Sequence, residues 1–211
     1  MDIKTEVSQT LLSLLMKGGW LMVPLILLSL AAAYVLIERL LTYRACLNLS
    51  ESFLQALDNQ LHNGDIHQLQ QLCTAEDNII QKVLLKGIQS RQTAAKSVEC
   101  ILESESKRII ASLEERLSIL ATIAGVAPMI GFLGTVTGMI QTFMSISQEK
   151  NQLATQLFSN GIYEAMVTTM VGLIVGIVAY IGYNYCLMRV TKAADQLAYA
   201  ANLFLVKWIL K

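Results

Sequence analysis

The chain of 211 residues carries 16 Lys and Arg against 16 Asp and Glu, so its formal charge is zero. Only 15% of residues are charged and 54% are hydrophobic, where an ordinary soluble domain has about 25% charged. With a mean hydropathy of +0.50, this excludes a disordered chain and gives no support to nucleic-acid binding, which needs a basic face.

Residues 1–18 place Ile3, Val7, Leu11, Leu14 and Leu15 on one helical stripe. That pattern predicts either an amphipathic segment on the outer membrane boundary or an extension of the first span. Gly18 to Ile37 is a charge-free run of 20 residues between Lys17 and Glu38, long enough to cross a hydrocarbon core. It predicts transmembrane helix one over 19–39. The run begins too late, and lacks a small-residue cleavage site, to be a signal peptide.

Residues 40–116 hold most of the charge and read as a helical insert. Ser50 is a candidate cap for a helix reaching Leu61, and Asn63-Gly64-Asp65 is a turn signal with Asp65 capping the next short helix. Ile79, Ile80, Val83, Leu84 and Ile88 repeat at helical spacing, predicting a helix over 78–89. From Thr93 to Ala124 there is no Gly or Pro, which predicts one continuous rod leading into helix two. The two histidines, His62 and His67, lie five apart, a poor spacing for a metal site. The cysteines at 46, 73, 100 and 186 form no CxxC pair and read as free thiols in a reducing compartment.

Leu117 to Gln148 is a charge-free run of 32 residues. As a helix it would be about 48 Å long, so a second span over 117–147 must tilt or project. A short loop, 148–160, precedes a third span over 161–188, whose charge-free core runs from Ala165 to Met188. No Gly or Pro follows Gly182, so the third helix is expected to continue into a C-terminal helix over 189–211. With three spans, residues 39–116 and the tail share one side and hold 13 Lys and Arg, against 3 on the other. The positive-inside rule makes the richer side cytoplasmic.

The second and third spans are too polar to be inert anchors. Gly131, Thr135, Gly138, Thr142 and Ser145 step by 4, 3, 4 and 3 along one helix face, and Pro128 marks a candidate kink. Gly134 with Gly138, and Gly172 with Gly176, are small-xxx-small pairs that let backbones approach. Glu164 falls in the first turn of the expected third helix, where the macrodipole favours a carboxylate; an ionisable group at a span's edge is also a functional candidate. Glu164 and Thr168 share a face, whereas Thr169 lies about 140° round from Glu164. Nothing in the spacing separates tight packing from the lining of an ion path. No catalytic constellation, cofactor motif or metal-ligand spacing is visible.

Ala127-Pro128-Met129-Ile130-Gly131-Phe132-Leu133-Gly134-Thr135-Val136-Thr137-Gly138-Met139 with Phe143 resembles the second-helix signature of the MotA/TolQ/ExbB proton-channel family. Gly161-Ile162-Tyr163-Glu164-Ala165-Met166, followed by Thr169, Gly172 and Tyr183-Asn184, resembles its third helix. Val178 stands where family members often have proline, Tyr163 replaces a usually small residue and Gly176 a usual alanine. The resemblance covers about residues 15–200, and the length and three spans are most similar to the ExbB and TolQ branches. It implies an all-α, multi-pass protein of the bacterial inner membrane with helices two and three extended into the cytoplasm. It implies a homopentamer surrounding two copies of a single-span ExbD/TolR-like protein, whose aspartate carries the proton, and work on a TonB-like protein or the Tol-Pal system. Thr135 and Thr169 match the pore-lining threonines, and Glu164 the third-helix glutamate. The readings left open are an ExbB-like motor subunit, a TolQ-like one and a non-conducting membrane scaffold.

Overall fold

The computed structural model describes residues 19–46, 56–59, 79–90, 95–148 and 154–206. Their regular elements are all helices: α1 (Met22–Cys46), α2 (Ile79–Gln89), α3 (Ala95–Glu114), α4 (Leu117–Gln148) and α5 (Ala154–Phe204), plus a single turn over 56–59. Three stretches, Met22–Arg44, Ser97–Ser147 and Gly161–Phe204, contain windows long and apolar enough to cross a membrane. The N-terminal stripe, the Ser50 cap, the Asn63-Gly64-Asp65 turn and both histidines lie outside the described residues. The contacts divide the chain into two compact units, Met1–Leu36 with Ser118–Tyr183, and Ile37–Leu117 with Asn184–Lys211.

The second unit packs as a water-soluble protein does. On α2, Ile80, Val83, Leu84 and Ile88 fall on one stripe and are buried. Val98 and Leu102 of α3, and Leu197, Ala200 and Phe204 of α5, join the same core, as does Leu57. Fully burying a side chain such as Leu84 is worth about 1.5–3 kcal/mol. At the surface of this core Lys86 pairs with Glu105, Arg108 reaches Glu105 at 3.0 Å, and Lys107 reaches Glu103 at 2.6 Å. The Lys86 ammonium hydrogen-bonds the Glu105 carboxyl and holds it below the usual carboxylate range.

Three boundaries differ from those read in the sequence. Helix α1 does not stop near residue 39 but runs to Cys46; Leu40 to Cys46 contain no breaker, and Tyr43 is buried. The expected rod from 93 to 124 is broken by a turn at Glu115–Arg116, so α3 and α4 are separate helices. Side chains of α1 hold that junction. Tyr43 Oη donates to the Leu113 carbonyl at 3.0 Å, Arg39 Nη1 reaches the same oxygen at 3.4 Å, and Arg116 pairs with Glu38. A cation at the last carbonyls of a helix is favoured by its dipole, which gives the buried Arg39 a physical reason to be there. Finally, α5 begins at Ala154 rather than about 161, and as expected it continues without interruption to Phe204.

Candidate functional site

Helices α4 and α5 meet in the first unit through glycine. The contacts pair residues in antiparallel order: Thr142 with Gly161, Gly138 with Ala165, Gly134 with Thr168, Gly131 with Gly172, and Pro128 with Gly176. A methyl group on Gly172 would lie 2.7 Å from the Ala127 carbonyl oxygen and 2.9 Å from Gly131 Cα. These are backbone atoms that cannot step aside. On Gly138 it would lie 2.9 Å from Ala165 Cβ, and on Gly176 2.7 Å from Pro128 Cδ. In lipid there is little hydrophobic drive between helices, so close backbone approach supplies the attraction. Pro128 sits inside α4 and cannot bond the carbonyl four residues back. That carbonyl, Ala124, faces Gly176, where an added methyl group would be 3.1 Å away. Gly125 is the exception on this helix, with open space beside it.

Of the two expected pore threonines, Thr169 bridges this contact and Thr135 bonds within its own helix. Thr169 donates its hydroxyl to the Gly131 carbonyl across the helix pair at 2.8 Å. Thr135, one turn along α4 from Gly131, donates to Phe132 of its own helix at 2.6 Å and is half-buried. Each hydroxyl hydrogen is engaged by a carbonyl, while the oxygen keeps lone pairs that can accept from another group. Thr142 and Thr168 are buried and bond their own helices, at 2.7 Å to Gly138 and 2.8 Å to Ala165. Ser145, the last member of the stripe, is exposed and bonds Gln141.

Glu164 is not in a first helical turn, because α5 starts ten residues earlier. The dipole of its own helix, which acts within the first turn, is therefore not what places it. Its half-buried carboxylate packs instead against Gly19 at the start of α1, so closely that any Cβ on Gly19 would collide with Oε1. Gly19 has φ +65°, a conformation that glycine adopts without steric cost. Thr137 and Gln141 of α4 border the same place, with Gly134 and Thr168. The sequence reading singles out neither Gly19 nor Gln141 here. The available signals are an amide inside a 32-residue charge-free run and a Gly-Gly pair just before an apolar run. Among the described residues no group of three or more His, Cys, Asp or Glu could hold a metal ion.

Residues 75–198 match the MotA/TolQ/ExbB proton channel family. A Tol-Pal system protein TolQ from Haemophilus influenzae is 45% identical over 89 residues, which are 42% of this chain and 38% of that protein. A putative biopolymer transport protein ExbB-like 1 from Synechocystis is 29% identical over 193 residues, 89% of this chain and 75% of that protein. A biopolymer transport protein ExbB from Aquifex aeolicus is 42% identical over 80 residues, 38% of this chain and 53% of that protein. The chain thus spans well under half the length of the Haemophilus relative and three quarters of the Synechocystis one. The matched segment contains the whole α4–α5 contact with its glycines, its threonines and Glu164, and the chain belongs to the MotA/TolQ/ExbB proton channel family.

Proposed function

We propose that this chain is the ring-forming subunit of an inner-membrane proton-driven motor of the ExbB type, energising transport across the outer membrane through a TonB-like protein. The observation that carries the proposal is the Thr169–Gly131 hydrogen bond, one helical turn along α4 from Thr135, in a glycine-packed α4–α5 contact. In this reading a homopentamer encloses two copies of a single-span partner, whose carboxyl group is the proton carrier. The chain itself has no Asp between Gly18 and Ile37, Leu117 and Gln148, or Ala165 and Met188.

The threonine geometry gives a mechanism for responding to that carboxyl. A protonated partner acid donates its hydrogen to a Thr oxygen while the Thr hydrogen stays on its backbone carbonyl. Once the partner is ionised it can only accept, so the hydroxyl must rotate away from Phe132 or Gly131 to serve it. The two protonation states thus ask for different hydroxyl orientations, and the site distinguishes them without carrying a charge. One proton crossing 100 mV releases about 2.3 kcal/mol, so useful work takes several protons. Glu164 lies near the same level of the α4–α5 contact, in a notch bordered by Gly134, Gly138 and Thr168.

The 45% identity to a TolQ over the matched 89 residues favours a second reading, a TolQ-like subunit acting in envelope maintenance. In both readings the amino-terminal side and residues 148–160 face outward, with the 40–116 insert and the tail in the cytoplasm. The test is co-purification with a single-span partner, followed by proton flux in liposomes holding the chain alone and with that partner. Flux that requires the partner is expected. A complex that forms and conducts no protons would leave a membrane scaffold as the function. Partner exchange between TonB-linked and Tol-Pal-linked single-span proteins separates the two conducting readings.

A further inference from the structure

The notch beside Glu164 has a volume of about 20 Å³. A polar site needs roughly 10–15 Å³ of such volume and two to four polar partners to hold a water, and this notch meets both conditions. Thr168 gives its hydrogen to the Ala165 carbonyl, and Thr137 gives its own to Leu133 at 2.9 Å or Gly134 at 3.2 Å. Both therefore offer only lone pairs, as an ionised carboxylate does. Gln141 is the side chain there that can both donate and accept. No direct hydrogen bond joins Gln141 to Glu164, although both line the notch.

We propose that the notch binds one water bridging Glu164 to Gln141, and that Gln141 and Thr137 are positioning residues that hold this water for proton exchange with Glu164. The proposal rests on the proton-conducting reading above. The water accepts a hydrogen bond from the Gln141 amide and donates its own hydrogens to Glu164 and to a Thr oxygen. It takes a proton from a hydronium ion, which becomes water, and passes one of its own to a Glu164 carboxylate oxygen. The water is regenerated, and the charge moves without any other co-reactant. Gly134 and Gly138 border the notch, and a Cβ at Gly134 would run into the Thr168 hydroxyl.

The experiment uses the full chain with its single-span partner in lipid bilayers. Solid-state NMR transfer from water to the Glu164 carboxyl and the Gln141 amide reports the bound water independently of conduction. Liposome proton flux is measured beside it. Wild type should show rapid transfer to both groups. Gln141→Met keeps the side-chain length and loses the amide; it should lose the transfer and lower flux about fivefold, the scale of one lost neutral hydrogen bond. Gln141→Asn should restore part of both. Transfer unchanged in Gln141→Met, or lost with flux at the wild-type level, overturns the proposal. Rapid transfer in wild type with no flux in any sample overturns the conducting reading instead and leaves the water site standing.

Discussion

Helix α5 passes through two regions that are packed by opposite means. Up to Tyr183 it meets α4 through Gly161, Gly172 and Gly176, each of which would collide with the neighbouring helix if it carried a methyl group. Beyond that point it contributes Leu197, Ala200 and Phe204 to a core of large apolar side chains closed over by surface ion pairs. The difference is the one that the proposed placement of the first region in lipid and the second in water predicts. Against water, burying a Leu or Phe is itself favourable. Against lipid tails the same burial gains little, so the helices gain by removing side chains and bringing backbones together. Polar groups follow the same division. In the glycine region the hydroxyls are spent on helix carbonyls, whereas the second region carries the Glu–Lys and Glu–Arg pairs.

The sharpest way to break this contrast is Gly172→Leu. The new side chain meets backbone of Ala127 and Gly131, so the α4–α5 contact should open, at a cost of about 3 kcal/mol or more. The expected result is loss of the proposed ring by native mass spectrometry, while Gly125→Leu, placed in open space, leaves this contact intact. In the other region Leu84→Ala should cost about 3 kcal/mol by removing a fully buried side chain, read as an earlier unfolding midpoint. Leu84→Met should recover most of it.

Gly19→Ala is smaller. A left-handed backbone conformation costs an L-residue about 1–2 kcal/mol, and the added methyl must also displace the Glu164 carboxylate. Glu164→Ala in the same background removes the group that the methyl must displace and leaves the backbone strain in place. A double-mutant cycle should therefore show coupling between positions that lie 145 residues apart in the chain. Additive effects would mean that the contact is incidental.

The weakest effect belongs to the exposed Lys86–Glu105 pair. The Glu105 carboxyl is held below its unfolded value, so its contribution is present above that value and is lost as pH falls through the folded one. Lys86→Gln should lower the melting midpoint slightly at neutral pH. The difference from wild type should vanish on acidification and shrink with added salt.

How much of this was legible depended on the kind of signal. The charge-free runs locate α1, α4 and α5, because a membrane span cannot tolerate many ions. They misplace the ends at Cys46 and Ala154, because a helix does not need to stop where charge begins. The α2 stripe of Ile80, Val83, Leu84 and Ile88 is plain at helical period. The turn at Glu115–Arg116 is not, since no Gly or Pro marks it and its partners Glu38, Arg39 and Tyr43 come from α1. At the site, Thr135 stands out on the polar stripe and Glu164 as an ionisable group at a span's edge, whereas the pore roles of Thr135 and Thr169 come from resemblance to family motifs. The Gly19–Glu164 contact and the inclusion of Gln141 arise only once distant segments are brought together, which periodicity within one helix does not encode.

In the proposed motor, Thr135 and Thr169 act through their hydroxyls on a proton path. The most direct test of that role is proton flux in liposomes holding the partner complex with Thr135→Val and Thr169→Val combined. Valine keeps the shape of threonine, and losing the Thr169–Gly131 bond should cost only about 0.6 kcal/mol in a membrane, so the ring should still purify. An intact assembly with flux reduced to the level of the chain without its partner is expected. Wild-type flux through an intact double variant would contradict that role.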